Sequence, residues 1–266
     1  MKSFRLGLFA VASVLLGVDA TGQGGELLVS GDVTPVFSLT NASPNPATPG
    51  NRQFFTNILQ GGTNVAIRNT SFNSSAGPEI NQFYASLGGV ASTLITGPVT
   101  TNQLASVDLF VAPVPDTAFS ASEGNAIAGF LNSGGVVLLI GESEGIPFGL
   151  TTNGYVNNLL AQLGSQLTLV DRSLDIGPQI ATGSMIAVHP LTAGVAAFNY
   201  GSASEVVGGA PLFFAQNGPA FVAVETQNIP EPAAMAMLAL GLASYAWRRA
   251  ASAGRWQVTR ESVDRT

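Results

Sequence analysis

The stretch VDLFVAP (107–113), followed by SASE (120–123) and FLNSGGVVLLIGE (130–142), decides the fold. VDLFVAP and VVLLI (136–140) are near-continuous apolar runs, the pattern of strands buried on both faces of a parallel sheet. Between them, Ser120 and Glu123 have the spacing of a capping box, in which each end satisfies a free backbone N–H of the other. Ile127, Phe130 and Leu131 form an inward stripe, and Gly134-Gly135 ends the helix. One strand–helix–strand unit is written out in full.

Working outward, the same alternation recurs on both sides. NVAIRN (64–69) reads as a strand, and Pro78-Glu79 opens a helix carrying Ile80, Phe83, Tyr84 and Leu87 at helical spacing before Gly88-Gly89. A strand over 90–96 and a helical turn over 101–104 lead into VDLFVAP. After VVLLI come a loop, a helix over 153–163 with Val156, Leu159, Leu160 and Leu163 on one face, and LTLVD (167–171) as a fifth strand. PLFFAQ and AFVAVET read as a closing hairpin across Asn217-Gly218. The expected fold is α/β, a doubly wound parallel sheet with a C-terminal hairpin, over residues 54–227. Residues 21–53, rich in Gly, Thr, Ser, Asn and Pro, read as a flexible N-terminal segment with at most an edge strand at Glu26 to Ser30. No internal repeat is present.

Composition narrows the function. The 266 residues include no Cys, which excludes a disulfide framework, a thiolate metal site and a Cys nucleophile. Seven of the ten basic residues lie at the extreme ends: Lys2, Arg5, Arg248, Arg249, Arg255, Arg260 and Arg265. Between residues 21 and 229 only Arg52, Arg68 and Arg172 face twelve Asp and Glu, a net charge of −9. Such a body repels phosphate backbones, so no nucleic-acid partner is expected. It also contains no Lys, which removes a Lys-bearing phosphate loop.

The ends carry topology signals. Residues 1–20 read as a signal peptide: Lys2 and Arg5, then thirteen apolar residues from Leu6 to Val18, then Val18 and Ala20 at the small-residue positions before cleavage. The other reading is an uncleaved anchor or a buried helix, but the run is short for a span of about 20 residues. Near the other end, Pro230-Glu231-Pro232 precedes fifteen apolar or small residues, Ala233 to Trp247, and then Arg248-Arg249. The prolines let a new helix start, and the run is about 22 Å long at 1.5 Å per residue. The Arg pair holds its end in the cytoplasm, giving a transmembrane helix with the body outside and residues 250–266 as a cytoplasmic tail.

The Pro-Glu-Pro triplet, the short Gly/Ala/Leu-rich span and the Arg cluster, in that order over 228–249, resemble the PEP-CTERM sorting signal. The resemblance implies an exosortase as membrane partner, removal of the tag and delivery to the cell surface or extracellular matrix. It also implies a link with exopolysaccharide and biofilm production in Gram-negative bacteria. Tags of this kind usually end soon after the Arg cluster, whereas here seventeen residues follow Arg249. An ordinary tail anchor is the other reading.

Within the body, the order VDLFVAP…SASE…FLNSGGVVLLIGE…HPLTAGV (189–195) resembles class I glutamine-amidotransferase-like domains of flavodoxin type. That resemblance implies a Cys in the turn after VVLLI; Gly141-Glu142-Ser143-Glu144-Gly145 stands there instead, so glutaminase chemistry does not carry over.

GESEG matches G-x-S-x-G, and Asp171 or Asp175 and the sole histidine, His189, follow in the order Ser, acid, His. Against a Ser143–His189–Asp171 triad, IPFGLTTNG separates the turn from the next helix, and two flanking carboxylates oppose a developing oxyanion. Glu142 and Glu144 with Asp171 and Asp175 could offer oxygens to Ca²⁺, although alternating loop acids are more often solvated. The expectation is an exported, non-enzymatic binding protein without cofactor, with a ligand crevice at the strand carboxyl ends. The alternative is a serine hydrolase or amidotransferase-like enzyme acting on envelope glycans or peptides.

Overall fold

The computed structural model describes residues 24–40 and 48–227. The segments read as signal peptide, Pro-Glu-Pro span and cytoplasmic tail lie outside the described residues. Among the described residues no helix is long and apolar enough to cross a membrane.

A seven-stranded sheet organises the body, in the order β10-β11-β1-β5-β4-β2-β3. Its strands are β1 (Glu26–Ser30), β2 (Asn64–Arg68), β3 (Ala91–Ile95), β4 (Leu109–Pro113), β5 (Val136–Ile140), β10 (Ala210–Phe214) and β11 (Ala220–Thr226). The five strands from β1 to β3 in that order run parallel, and β11 and β10 add antiparallel pairs at the β1 side. Alternation along each strand splits the interior into two layers. Leu28, Val65, Ile67, Leu109, Val111, Leu138 and Ile140 face one core with Phe54, Phe55, Ile80 and Phe83 of helices α1 (Thr48–Asn57) and α2 (Ala76–Ser86). Leu27, Val29, Ala66, Phe110, Val137 and Leu139 face the other. There they meet α3 (Thr101–Leu104), α4 (Ala121–Asn132) and α5 (Gly149–Gln162) through Leu104, Ile127, Leu131, Val156 and Leu159. Both sheet faces are covered, as a doubly wound sheet requires.

The capping box at α4 forms as expected: Ser120 Oγ accepts from the Glu123 N–H, and Glu123 Oε2 accepts the Ser120 N–H at 2.9 Å. The hairpin forms too. Gly218, at φ 98°, supplies the left-handed turn that joins β10 to β11.

Two expectations change. Of the segment read as a flexible extension, the described residues 24–40 and 48–53 belong to the compact body, which begins at Gly24 and has β1 inside its sheet. β1 pairs with β11 on one side and β5 on the other, from Glu26↔Thr226 and Glu26↔Val136 to Ser30↔Val222 and Ser30↔Ile140. Leu27, Leu28 and Val29 are fully buried, and each such side chain contributes roughly 2 kcal/mol of transfer free energy. That burial on both faces is what draws a five-residue strand to the centre.

The second change concerns LTLVD. It belongs to β6 (Thr168–Leu174), which pairs antiparallel with β9 (Ala203–Val207) outside the main sheet. Its side chains alternate between buried Leu169 and exposed Thr168 and Asp171, so it cannot occupy a site apolar on both faces. The fifth parallel strand is β1. A second ribbon joins β7 (Gln179–Thr182) to β8 (Ala197–Tyr200).

Candidate functional site

At the switch point between β2 and β4, where helices leave on opposite faces, the structure is plugged rather than open. Arg68 Nη2 donates to Thr117 O and Oγ1 at 3.2 and 2.6 Å, and its guanidinium lies 4.1 Å over the Phe119 ring. Thr70 Oγ1 closes the gap by donating to Val114 O at 2.8 Å. The open crevice lies two strands away, at the carboxyl ends of β1 and β5.

There Gly141 N–H extends the parallel ladder to Ser30 O at 2.7 Å, and beyond it the two chains part. The β1 chain makes an Asx turn: Asp32 Oδ1 accepts the Thr34 N–H at 2.8 Å, and Pro35 then opens a 3₁₀ turn over Thr34–Ser38. Oδ2 of the same side chain accepts the Gly201 N–H at 2.5 Å. The β5 chain places Glu142 beside it. Asn153 of α5 holds the Glu142 backbone at both ends, donating to its O at 2.8 Å and accepting its N–H at 3.0 Å. Ser204 Oγ donates to the same carbonyl at 2.8 Å. The side chain keeps one internal partner, the Ser143 N–H on Oε1 at 2.8 Å.

Asp32 and Glu142 are 1% and 5% exposed. Burial pushes Asp32 up to about 6 against the pull of the Gly201 and Thr34 N–H groups. It pushes Glu142 up to about 8, with the charge of Asp32 adding to the rise. Two carboxylates in one poorly solvated place resist double ionisation, and they titrate as a pair. The pair holds a proton into the neutral range.

Glu142 lines a cleft of about 370 Å³ together with Phe37, Phe148, Ile146, Asn73 and Ser202. Phe72 stacks on Phe148 at 5.5 Å between ring centroids, fixing that wall. An apolar cleft with a few convergent polar groups and a perturbed acid is the usual form of a small-ligand site.

The residues singled out from sequence are dispersed. Ser143 is fully buried; its Oγ lies 2.6 Å from Ser173 Oγ and accepts the Gly145 N–H at 3.3 Å. The helix after it starts only at Gly149. His189 caps the 3₁₀ turn Pro190–Thr192, its Nδ1 accepting the Leu191 N–H at 3.2 Å. It lines a different depression, of about 450 Å³, with Ile186, Val188 and Val195. Asp171 is exposed on β6 where the pairing with β9 bulges between Val170 and Ser173. Asp175, at φ 53°, accepts the Tyr200 hydroxyl at 2.5 Å and the Gln216 N–H at 3.0 Å. Glu144 Oε1 accepts the Ser173 N–H at 3.3 Å. Among the described residues no three His, Asp or Glu side chains gather as a metal site.

Asp32 joins Glu142 only through the register of β1 against β5, which no local pattern encodes. Its one local signal was GDVTP (31–35), an Asp two residues before a Thr-Pro turn start, at the end of an apolar run.

Residues 228–250 match the model of the PEP-CTERM protein-sorting motif. The chain carries the signal of an exported protein sorted by an exosortase through a membrane-anchored stage. No curated protein matches it in sequence. Among solved structures it is similar to "mmIFT52 N-terminal domain", at 11% identity and a TM-score of 0.42, over 65% of this chain and 98% of that one. The likeness of the body to amidotransferase-type domains stays a resemblance of pattern.

Proposed function

We propose that the protein is an exported, non-enzymatic binding protein, delivered by an exosortase to the cell surface or matrix. Its α/β body takes a surface or matrix component, with exopolysaccharide the leading candidate, in the cleft beside Glu142. The observation that carries the reading is the sorting motif over 228–250, which contains Pro230, Glu231, Pro232, Arg248 and Arg249. In this reading residues 1–20 are a cleaved signal peptide, Ala233 to Trp247 a transient transmembrane anchor, and 250–266 a cytoplasmic tail. Mass spectrometry of the protein from its host, with and without the exosortase, tests it. The expected product starts at Thr21 and lacks Arg248 and Arg249; a full-length cytosolic product refutes it.

The non-enzymatic part is supported by the surroundings of Ser143. A nucleophile needs an accessible oxygen and a base within hydrogen-bond reach. Ser143 has neither exposure nor a bond to His189, and Asp171, the acid of the triad reading, is exposed on β6. The competing reading, a serine hydrolase or amidotransferase-like enzyme on envelope glycans or peptides, requires fluorophosphonate labelling that disappears in Ser143→Ala. Absence of labelling is expected.

A further inference from the structure

We propose that the cleft at the ends of β1 and β5 binds a protonated primary amine. The ammonium hydrogen-bonds to Oε2 of Glu142, and the body of the ligand lies against Phe37 and Phe148. The inference rests on the binding-protein reading above and names the chemistry of its ligand.

Charge comes first. Asp32 and Glu142 are both more than nine-tenths buried, and among the described residues neither forms an ion pair. The other titratable groups in this region add no cation. Glu144 is on the same loop, Asp175 and Tyr200 are bonded to each other, and Arg172 pairs with Glu205 at 2.5 Å. A buried carboxylate without a counter-charge is costly; in the empty cleft a proton relieves that cost, and a ligand cation is what would let Glu142 ionise. The net charge of −9 over residues 21–229 draws cations towards the body in general.

Hydrogen-bond capacity then selects the kind of cation. Oδ1 and Oδ2 of Asp32 are taken by the N–H groups of Thr34 and Gly201, and Oε1 of Glu142 by that of Ser143. Of these four oxygens only Oε2 of Glu142 lacks a donor among the described residues, and Glu142 is the acid that lines the cleft. A single free oxygen cannot receive the two parallel bonds of a guanidinium fork. It also falls far short of the six to eight oxygens that Ca²⁺ takes. An ammonium, a compact point charge with three donors, needs one strong acceptor and spreads its other N–H bonds. Asn73 and Ser202 line the same cleft and can accept them. Phe37 and Phe148 are half-buried and offer faces to the cation and to its carbon frame.

Protons must balance. While Glu142 is protonated in the empty cleft, binding an ammonium expels one proton to solvent and leaves an ammonium–carboxylate pair. Affinity therefore rises with pH while the carboxyl is protonated and the ligand amine still charged.

The test is isothermal titration of the full chain in detergent with four probes. Glucosamine and Nα-acetyl-lysine methylamide carry the amine. N-acetylglucosamine and the Nε-acetylated lysine derivative are their neutral counterparts. Binding of at least one amine is expected, with its acetylated partner at least about tenfold weaker, as loss of a charge-assisted bond implies. Which amine binds tells an amino sugar from a lysine side chain. Affinity should rise by about tenfold per pH unit from 5 to 7, with proton release seen as a buffer-dependent heat. Glu142→Gln, with its fold checked by thermal melting, should lose both the affinity and the pH slope. Equal binding of the acetylated probes, unchanged in Glu142→Gln, overturns the inference and leaves the binding-protein reading standing. Failure of all four probes also overturns it. Ser143-dependent fluorophosphonate labelling is the separate result that removes the binding-protein reading itself.

Discussion

Asn153 grips the backbone of Glu142 at both ends, its Nδ2 on the carbonyl at 2.8 Å and its Oδ1 on the N–H at 3.0 Å. The pair spans eleven residues, from the end of β5 to the first turns of α5, and Asn153 is fully buried. An acid that would otherwise ride on a loop is thereby fixed to the scaffold. Asn153→Ala leaves the Glu142 N–H without a partner and should cost about 2–3 kcal/mol of stability, read from denaturant melts. Asn153→Asp keeps the acceptor, loses both donors and adds a negative charge beside Glu142. Its penalty should be larger at pH 8 than at pH 5.

The carboxylate pair makes an unusual pH profile. The folded-state pKa values of Asp32 and Glu142 lie above their ordinary values of 3.8 and 4.5, chiefly because burial disfavours the charged form. The folded state thus holds more protons than the unfolded one across that window. Stability from this source is complete below about pH 4 and is lost as pH rises through 6 and 8. Thermal melts should show the midpoint falling from pH 5 to pH 8. Glu142→Gln should flatten the slope and raise the midpoint at pH 8; a wild-type midpoint that rises over this range would contradict the pairing.

The strand β1 is a structural necessity. A chain beginning at Phe54 would lack the partner of both β5 and β11, exposing Val137, Leu139 and Val224 along two ladders. It should show no cooperative thermal transition by circular dichroism, whereas a chain beginning at Gly24 should melt in a single step. Equal melting of the two would remove β1 from its place in the core.

Ser143 and Ser173 share one short hydrogen bond at 2.6 Å, out of contact with solvent on the Ser143 side. Each single Ala substitution should cost about 1 kcal/mol, because it removes the bond between the two hydroxyls. The double substitution should cost less than the sum, a coupling that a thermodynamic cycle reads directly. Activity-based labelling of the wild type should be blank.

The parts of the fold legible in sequence were those whose signal is local. VVLLI and the LFVAP of VDLFVAP are apolar at every position because both of their faces are covered, and Ser120 with Glu123 announces a helix start through bonds three residues apart. β1 was illegible for the opposite reason. ELLVS is five residues long, flanked by Gly-Gly and Gly-Asp, and its partners lie far along the chain. LTLVD misled because buried Leu167 and Leu169 alternate with exposed Thr168 and Asp171, the pattern of a strand covered on one face, and single-strand patterns do not say which sheet a strand joins. The site divided in the same way. Glu142 could be marked as a loop acid, but its neighbour Asp32 depends on the register of β1 against β5, so the pair could be seen only once the strands were side by side. His189 and Ser143 matched a motif order, and order along a chain carries no distance.

The register that brings the two acids together has a consequence at the far end of the same strand. Glu26 opens β1 opposite Thr226, which closes β11, and the Gln227 N–H donates to Gly25 O at 2.9 Å. The body's first and last residues are therefore immediate neighbours. Such a module can be circularly permuted: a short linker from Gln227 to Gly24 with new ends in an exposed loop should keep every strand pair. It can equally be inserted into a loop of another protein through a single point of attachment. Trimming outside 24–227, whether by a protease in the laboratory or by a processing enzyme, severs no ladder of the sheet.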